Sequence, residues 1–274
     1  MDLLRETVGI LRKYGIRPRK KLGQHFLVDE RVLELILRAL ELSGVEEVLE
    51  IGAGIGTVTR ALAERAKRVI AIEVDARLVR VLEDLLSPYG NVEIVRGDFL
   101  EIEVPGVDRV FSNVPYSISS PLLFKLLDEP GYEFAILTFQ KEFVDRLLAE
   151  PGTREYGRLT VSLRLRARAE VLARISRRAF YPVPEVDSAL VKIVPSRTHL
   201  PWGEVLEDFL RFAFSQRRKR AEKVVRSYLR RVGLGMDPAG VLREAGVDRD
   251  ARIYELSPEQ FSAIARAITC RVSS

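Results

Sequence analysis

The chain is poor in the residues that build metal or disulfide chemistry. Its one cysteine, Cys270, forms no internal disulfide and no thiolate cluster. Its two histidines, His25 and His199, are far apart and lack neighbours at zinc-type spacing, so no metal site is expected. No apolar run approaches the roughly 20 residues a membrane helix needs. The N-terminal "MDLLRETVGILRKYG" is amphipathic and lacks the apolar core and small-residue cleavage site of a secretory signal. These absences predict a cytoplasmic protein with no membrane partner. Asparagine is confined to Asn91 and Asn113, while Arg and Glu are abundant, a balance that suits a thermophilic source.

What is present is a core and an excess of positive charge. At 274 residues and 47% hydrophobic, the chain can form one large domain and a small one. The formal net charge is +5, and it is concentrated. Residues 12–21 hold six basic side chains and no acid, and residues 217–231 hold eight against the single acid Glu222. Two uncompensated strips predict a polyanionic partner, a nucleic acid, rather than solvated helix faces alone.

Strand-like and helical segments alternate from residue 47 onward. "EEVLEIG", "RVIAIEV", "NVEIVRG", "RVFSNV" and "EFAILTF" read as strands, separated by the helical "TVTRALAERA", "ARLVRVLEDLLSPYG" and "PLLFKLLD". Near-continuous apolar strands between helices predict a parallel α/β sheet covered on both faces. Two later runs, "AEVLARI" and "SALVKIV", are joined by a Pro-rich stretch with no crossover helix, which predicts an antiparallel pair at the sheet edge. Beyond about residue 200 the pattern is helical. Ser257, Pro258 and Gln260 carry a capping signal for the last helix. One boundary near residue 198 is expected, between a domain 1–198, opening on an N-terminal helix and basic loop (1–28), and a helical domain 199–274.

The first strand leads into "EIGAGIGTVTR". The dinucleotide fingerprint fails in both registers, because Thr57 and Thr59 stand where its third glycine belongs. Gly52 and Gly54 still allow a ligand to approach the backbone closely. Glu73 ends the second strand, Asp98 follows the third and Asn113 ends the fourth. Ligands of parallel α/β sheets bind outside the carboxyl ends of the strands, so Gly52, Glu73, Asp98 and Asn113 should share one crevice. Two acids without a phosphate loop suit a nucleoside cofactor lacking phosphates, and S-adenosyl-L-methionine fits. Glu73 would accept from ribose hydroxyls and Asp98 from the adenine amino group.

The stretch "NVPYSISSP" then places an amide beside the reacting methyl. An exocyclic adenine amine is a poor nucleophile because its lone pair is delocalised into the ring. Acceptors for both N–H groups, the Asn113 side-chain carbonyl and the backbone carbonyl of Val114 or Pro115, would return the lone pair to nitrogen. Tyr116 can stack on the base and face the cationic transition state.

These blocks resemble the rRNA adenine N6,N6-dimethyltransferases, the KsgA type of small-subunit enzyme and its archaeal and eukaryotic counterparts. "LGQHFLVD", "LEIGAGIGTVT", "IEVD", "GDFL", "NVPYSISSP", "QKEFVDRLLAEPGTREYGRL", "FYPVPEVDSALV" and "FAFSQRRK" all match family blocks, covering nearly the whole chain. The resemblance implies a Rossmann-like class I methyltransferase with a seven-stranded, mostly parallel sheet and a small helical C-terminal domain. It implies dimethylation of two adjacent adenosines in the 3′-terminal hairpin loop of 16S rRNA, in small ribosomal subunit biogenesis. Cofactor contacts carry over to His25, Leu27, Gly52, Glu73, Asp98 and Asn113, and base contacts to Asn113, Tyr116 and Phe180, with Pro115 shaping the motif. His25 departs from the asparagine common at its position, and Val114 from a frequent leucine. Arg17, Arg19, Lys20 and Lys21, with Arg217, Arg218, Lys219 and Arg220, would hold RNA phosphates. The expected partners are small-subunit rRNA and a subunit precursor, met by a monomer. A large-subunit rRNA methyltransferase shares the cofactor and Asn-x-Pro-Tyr motifs, but "FAFSQRRKR" and the helical tail favour the small-subunit type. A DNA adenine methyltransferase lacks support because there is no large target-recognition insertion. An assembly factor with dispensable catalysis is disfavoured by the intact Asn113–Tyr116 motif.

Overall fold

A computed structural model describes residues 2–196 and 203–272. They form two compact units, residues 1–144 with 169–195 and residues 145–168 with 196–274. His199 and the expected boundary at 198 lie outside the described residues.

The first unit opens with α1 (Leu3–Lys13), whose N-cap Asp2 accepts from the backbone N–H of Leu4 and Arg5. A short strand β1 (Phe26–Leu27) follows, then α2 (Glu30–Ala39), capped by Asp29, which accepts from the backbone N–H of Arg31 and Val32. The regular alternation then begins: β2 (Glu47–Ile51), α3 (Thr57–Ala63), β3 (Arg68–Glu73), α4 (Ala76–Leu85), β4 (Val92–Arg96), β5 (Arg109–Asn113), α5 (Ser119–Asp128), β6 (Phe134–Gln140) and α6 (Lys141–Leu147). After α7 (Arg158–Arg166) come β7 (Ala167–Ile175), the two-residue β8 (Phe180–Tyr181) and β9 (Ser188–Pro195).

Seven strands make one sheet in the order β4-β3-β2-β5-β6-β9-β7. The first five are parallel, and β9 runs antiparallel to β6. The two late runs are neighbours at the sheet edge, as the missing crossover helix predicts. The central strands are largely apolar because both faces are covered. Leu40, Leu62, Val48, Val69 and Phe111 pack in one cluster, and Ala53, Ala71, Leu82 and Leu86 in another. Separately, β1 pairs antiparallel with β8, matching Phe26 to Tyr181 and Leu27 to Phe180.

The second unit is helical: α7, α8 (Gly203–Phe214), α9 (Ala221–Arg231), α10 (Pro238–Glu244) and α11 (Pro258–Val272). Its core is aromatic, with the Phe209 ring edge-on to Tyr228 at 5.1 Å. The capping box at α11 forms as predicted. Gln260 N donates to Ser257 Oγ at 3.3 Å, and Ser257 N donates to Gln260 Oε1 at 2.9 Å.

The single boundary expected near 198 needs correction, since residues 145–168 belong with the C-terminal helices. Tyr156, 1% exposed, donates its hydroxyl to Leu256 O at 2.8 Å, and Val161 is buried in the same core. Glu207 on α8 pairs with Arg158 and Arg166. These contacts span 41 to 100 residues of sequence. Periodicity is a local signal and does not register them.

Candidate active site

The strand registers bring the expected residues together. Ile51 lies opposite Ile72 and Ser112, and Glu73 opposite Arg96, so β2, β3, β4 and β5 end level. One crevice at these ends is lined by Gly52, Gly54, Glu73, Asp98, Asn113 and Pro115, with Gln24, His25 and Phe26 closing its side. Gly52, Gly54 and Gly56 have φ of +80°, +64° and +83°, a conformation that side chains with a Cβ rarely adopt. At Gly54 a Cβ would also stand 3.3 Å from the Phe26 ring; at Gly52 it would point into open space.

Glu73, 5% exposed, fastens the turn. One carboxylate oxygen accepts from Gly54 N at 2.9 Å and the other from Asp75 N at 2.8 Å. Burial raises its pKa, and these two backbone donors oppose the rise. Asp75 caps α4 and is held well below the usual carboxylate range, chiefly by the Arg77 guanidinium. It also accepts from Gln24 Nε2 at 3.0 Å, which ties the N-terminal loop to the crevice wall. Asp98 is exposed at the rim, and its Oδ1 accepts from Leu100 N at 2.9 Å.

Asn113 is oriented by a residue 88 positions away. Its Nδ2 donates to the carbonyl of His25 at 2.8 Å. A carbonyl can only accept, so this contact fixes the amide and leaves Oδ1 free to accept from a ligand. His25 is held in turn by Nδ1, which faces Pro182 O at 2.6 Å. Because that carbonyl can only accept, the hydrogen of this contact sits on Nδ1. The two backbone carbonyls next to Asn113 also differ. Pro115 O already accepts from Ile118 N at 3.0 Å. Val114 donates its N–H to Thr138 O at 3.2 Å, and among the described residues nothing donates to its carbonyl.

Neither expected base-contact aromatic lines the crevice. Tyr116 stacks its ring on His25, centroids 5.7 Å apart, and its hydroxyl meets Ser188 Oγ at 3.0 Å. Phe180, expected to touch the base, is 3% exposed and packs with Leu27, Ile36 and Leu37 in the sheet's core. Pairing with Leu27 sets its face, and in a strand the next residue, Tyr181, points the other way. Leu27 itself is buried and lines a smaller cavity under the glycine turn, shared with His25, Glu50, Gly52 and Asn113.

Glu50 was not singled out by sequence, although an acid inside the apolar "EVLEI" is the signal that marks it. It is 2% exposed, and its Oε2 has no hydrogen-bond partner. Burial pushes its pKa up to about 8, opposed by the Thr59 hydroxyl and reinforced by the Glu73 carboxylate.

The basic residues are not equivalent. Arg17, Lys20 and Lys21 are exposed without ion pairs among the described residues, whereas Arg19 lies 3.7 Å from Asp75. In the helical unit, Arg217 donates to the carbonyls of Thr153 and Arg154 at 2.9 and 2.7 Å, with its guanidinium over the Tyr254 ring. Arg220 pairs with Asp250 at 2.9 Å, and Lys219 donates to Gln216 Oε1 at 2.7 Å. Arg218 is exposed with no ion pair among the described residues, and it shares a concavity with Arg154, Arg217, Arg252 and Tyr254.

A glycine turn between β2 and α3, an acid at the end of β3 and a seven-stranded sheet in which β9 runs antiparallel to β6 define a class I methyltransferase of Rossmann-like fold. The family model for ribosomal RNA adenine dimethylase matches residues 15–269, and the chain belongs to that family. It is 43% identical over 262 residues to the probable ribosomal RNA small subunit methyltransferase A of Methanopyrus kandleri, covering 93% of this chain and 94% of that one. Its fold is similar to a dimethyladenosine transferase from Plasmodium falciparum, with TM-score 0.78, 29% identity, and coverage of 90% and 98%. The 23S rRNA methyltransferase ErmE is also similar, with TM-score 0.66, 30% identity, and coverage of 89% and 99%. The chain is thus an rRNA adenine dimethyltransferase of the small-subunit type. Among the described residues no helix is long and apolar enough to cross a membrane.

Fold and family imply S-adenosylmethionine as the methyl donor. The residues present fit that molecule. Gly52 leaves open space where any other residue would place a Cβ, and Glu73 and Asp98 line the same crevice with carboxylates that can accept from hydroxyl and amino groups.

Proposed function

We propose that this enzyme dimethylates N6 of two adjacent adenosines in the 3′-terminal hairpin loop of small-subunit rRNA, acting as a cytoplasmic monomer on a subunit precursor. The observation that carries the reading is the pair of free acceptors at the end of β5, Asn113 Oδ1 and Val114 O.

The donor supplies a methyl group on a cationic sulfur. Glu73 and Asp98 hold its ribose and adenine, His25 and Leu27 flank it, and Gly52 and Gly54 let it lie against the backbone. Asn113 Oδ1 and Val114 O accept the two N6 hydrogens of the target, so the nitrogen lone pair is drawn out of the ring and aimed at the methyl. Pro115 keeps its own carbonyl in the following turn and fixes the direction of Val114 O. The nitrogen becomes acidic as it gains the methyl, so its proton can leave to water without a dedicated base. A second round on the same nitrogen has one N–H to bind. Tyr116, held by Ser188, presents its ring beside His25 as the aromatic wall of the base site. Loop adenosines are unstacked or readily extruded, so N6 is reached without melting a long duplex.

The deciding experiment is incubation with labelled donor and unmethylated small subunits, followed by mass-spectrometric mapping. Dimethyladenosine at two neighbouring positions near the 3′ end is expected. Modification only in large-subunit rRNA, or only in DNA, overturns the reading.

Three further outcomes are expected. Glu73→Ala should weaken donor binding about 10- to 100-fold by calorimetry, because a charge-assisted acceptor and the anchor of the glycine turn are lost together. Unchanged donor affinity would remove Glu73 from the site. In the basic strip, reversing Arg218, Lys219 and Arg220 to Glu should weaken RNA binding and flatten its salt dependence while donor affinity holds. Arg217→Ala should instead lower the melting temperature, since its guanidinium is spent on the Thr153 and Arg154 carbonyls. An unaltered salt slope in the triple variant would leave that strip a solvated face.

A further inference from the structure

An RNA loop reaches the crevice as a continuous strand, so the nucleotides beside the target base must also lie somewhere on the protein. A second groove in the first unit is lined by Leu11, Arg12, Ile16, Arg17, Pro18 and Tyr181. Its floor is apolar: Tyr181 packs half-buried against the cluster of Leu11, Ile16 and Phe26. Its rim is cationic. Arg12 and Arg17 are both exposed, and neither side chain has an acidic partner among the described residues. Their neighbours are neutralised: Lys13 by Asp84 at 3.4 Å, Arg19 by Asp75, and Arg60 by Glu6 at 2.5 Å. No acid lines the groove.

The groove is also coupled to the reaction site. Tyr181 lies opposite Phe26 in the β1–β8 pair, and Phe26 lines the methyl-donor crevice. The next residue, Pro182, holds His25 through its carbonyl, and the His25 carbonyl orients Asn113. One short ribbon therefore carries both the groove's aromatic ring and the support of the catalytic amide.

An aromatic face on an apolar floor, flanked by two unneutralised guanidinium groups, is the chemistry that takes an unpaired nucleotide: the base stacks and the phosphate pairs. We propose that this groove binds the single-stranded nucleotide next to the target adenosine, with Tyr181 stacking on its base and Arg12 and Arg17 holding its phosphate. The inference rests on the rRNA reading of the active site. It gives Tyr181 the stacking role that burial denies to Phe180, but for a neighbouring base rather than the reacting one.

The test uses the full chain and an unmethylated small-subunit hairpin RNA carrying 2-aminopurine beside the target adenosine, with S-adenosylhomocysteine present. Binding to wild type should quench the probe through stacking. Tyr181→Leu, which keeps an apolar side chain over Leu11 and Ile16, should weaken RNA binding about 5- to 150-fold and abolish the quench. Tyr181→Phe should restore both. The Arg12→Ala/Arg17→Ala pair should lower the slope of affinity against salt by about one to two. Melting temperatures and donor affinity close to wild type would show that the variants remain folded with an intact crevice. Wild-type quench and affinity in Tyr181→Leu, with wild type still methylating small subunits, would overturn the subsite and leave the rRNA reading standing. Failure of wild type to methylate small subunits at all would overturn both.

Discussion

Asn113→Ala is expected to cut methyl transfer to small-subunit rRNA by about 10³-fold in single-turnover assays, with RNA and donor binding within a few-fold of wild type. The size follows from what the amide does. In the proposed reaction its Oδ1 would act on the developing charge at N6, and removing one preorganised polar contact of this kind typically costs about 10²–10³ in rate. The neighbouring Val114 carbonyl remains but cannot fix the second N–H, so the nitrogen is free to stay planar and unreactive. The substitution also leaves the His25 carbonyl without its donor, which is a local loss of about 1 kcal/mol rather than a collapse. Asn113→Asp should fare nearly as badly, since a carboxylate places an acceptor against that carbonyl. Equal turnover by wild type and Asn113→Ala would remove Asn113 from the chemistry.

The second large effect is on stability. Glu50 is buried with an unpartnered oxygen and a pKa pushed up to about 8, against an ordinary value of 4.5. A carboxyl whose folded pKa is raised costs nothing below the unfolded value. Its cost grows as pH climbs from 4.5 toward 8, because the unfolded chain then sheds a proton that the folded chain keeps. Glu50→Gln, close in shape to the protonated acid, should therefore match wild type near pH 4.5 and exceed it increasingly above. At pH 7 the gap is on the order of 3 kcal/mol, taking 1.36 kcal/mol per pKa unit. Differential scanning at pH 5 and pH 8 measures it as a widening gap in melting temperature. A gap that is constant or narrows with pH would contradict the burial argument.

Much of the active site was legible in the chain. The apolar strands show their period locally, and a parallel sheet forces ligands to the strands' carboxyl ends. Hence Gly52, Glu73, Asp98 and Asn113 could be placed in one crevice from spacing alone, and the level strand ends realise that placement. The failed dinucleotide register at Thr57 likewise already excluded a pyrophosphate loop. Glu50 was legible in principle, as a lone acid in an apolar strand, but only burial shows that it has no partner.

Other features depend on contacts that no local pattern records. The orientation of Asn113 is set by the His25 carbonyl, 88 residues earlier, and the Pro115 carbonyl is taken up by a turn bond from Ile118. Phe180 and Tyr181 are adjacent aromatics, and strand pairing with β1 alone decides which is buried. Arg217 counts as one more positive charge in a basic run until the 153–154 carbonyls and Tyr254 close around it. Residues 145–168 leave the sheet's unit because Tyr156 and Val161 find their core among helices up to 100 residues away. Sequence by itself thus determined the elements, their order and the edge of the sheet where chemistry occurs, because hydrophobic period and backbone preference act over a few residues. Only the tertiary structure decided which polar groups remain free to act, because a hydrogen bond is spent or spared by whichever distant residue the fold brings beside it.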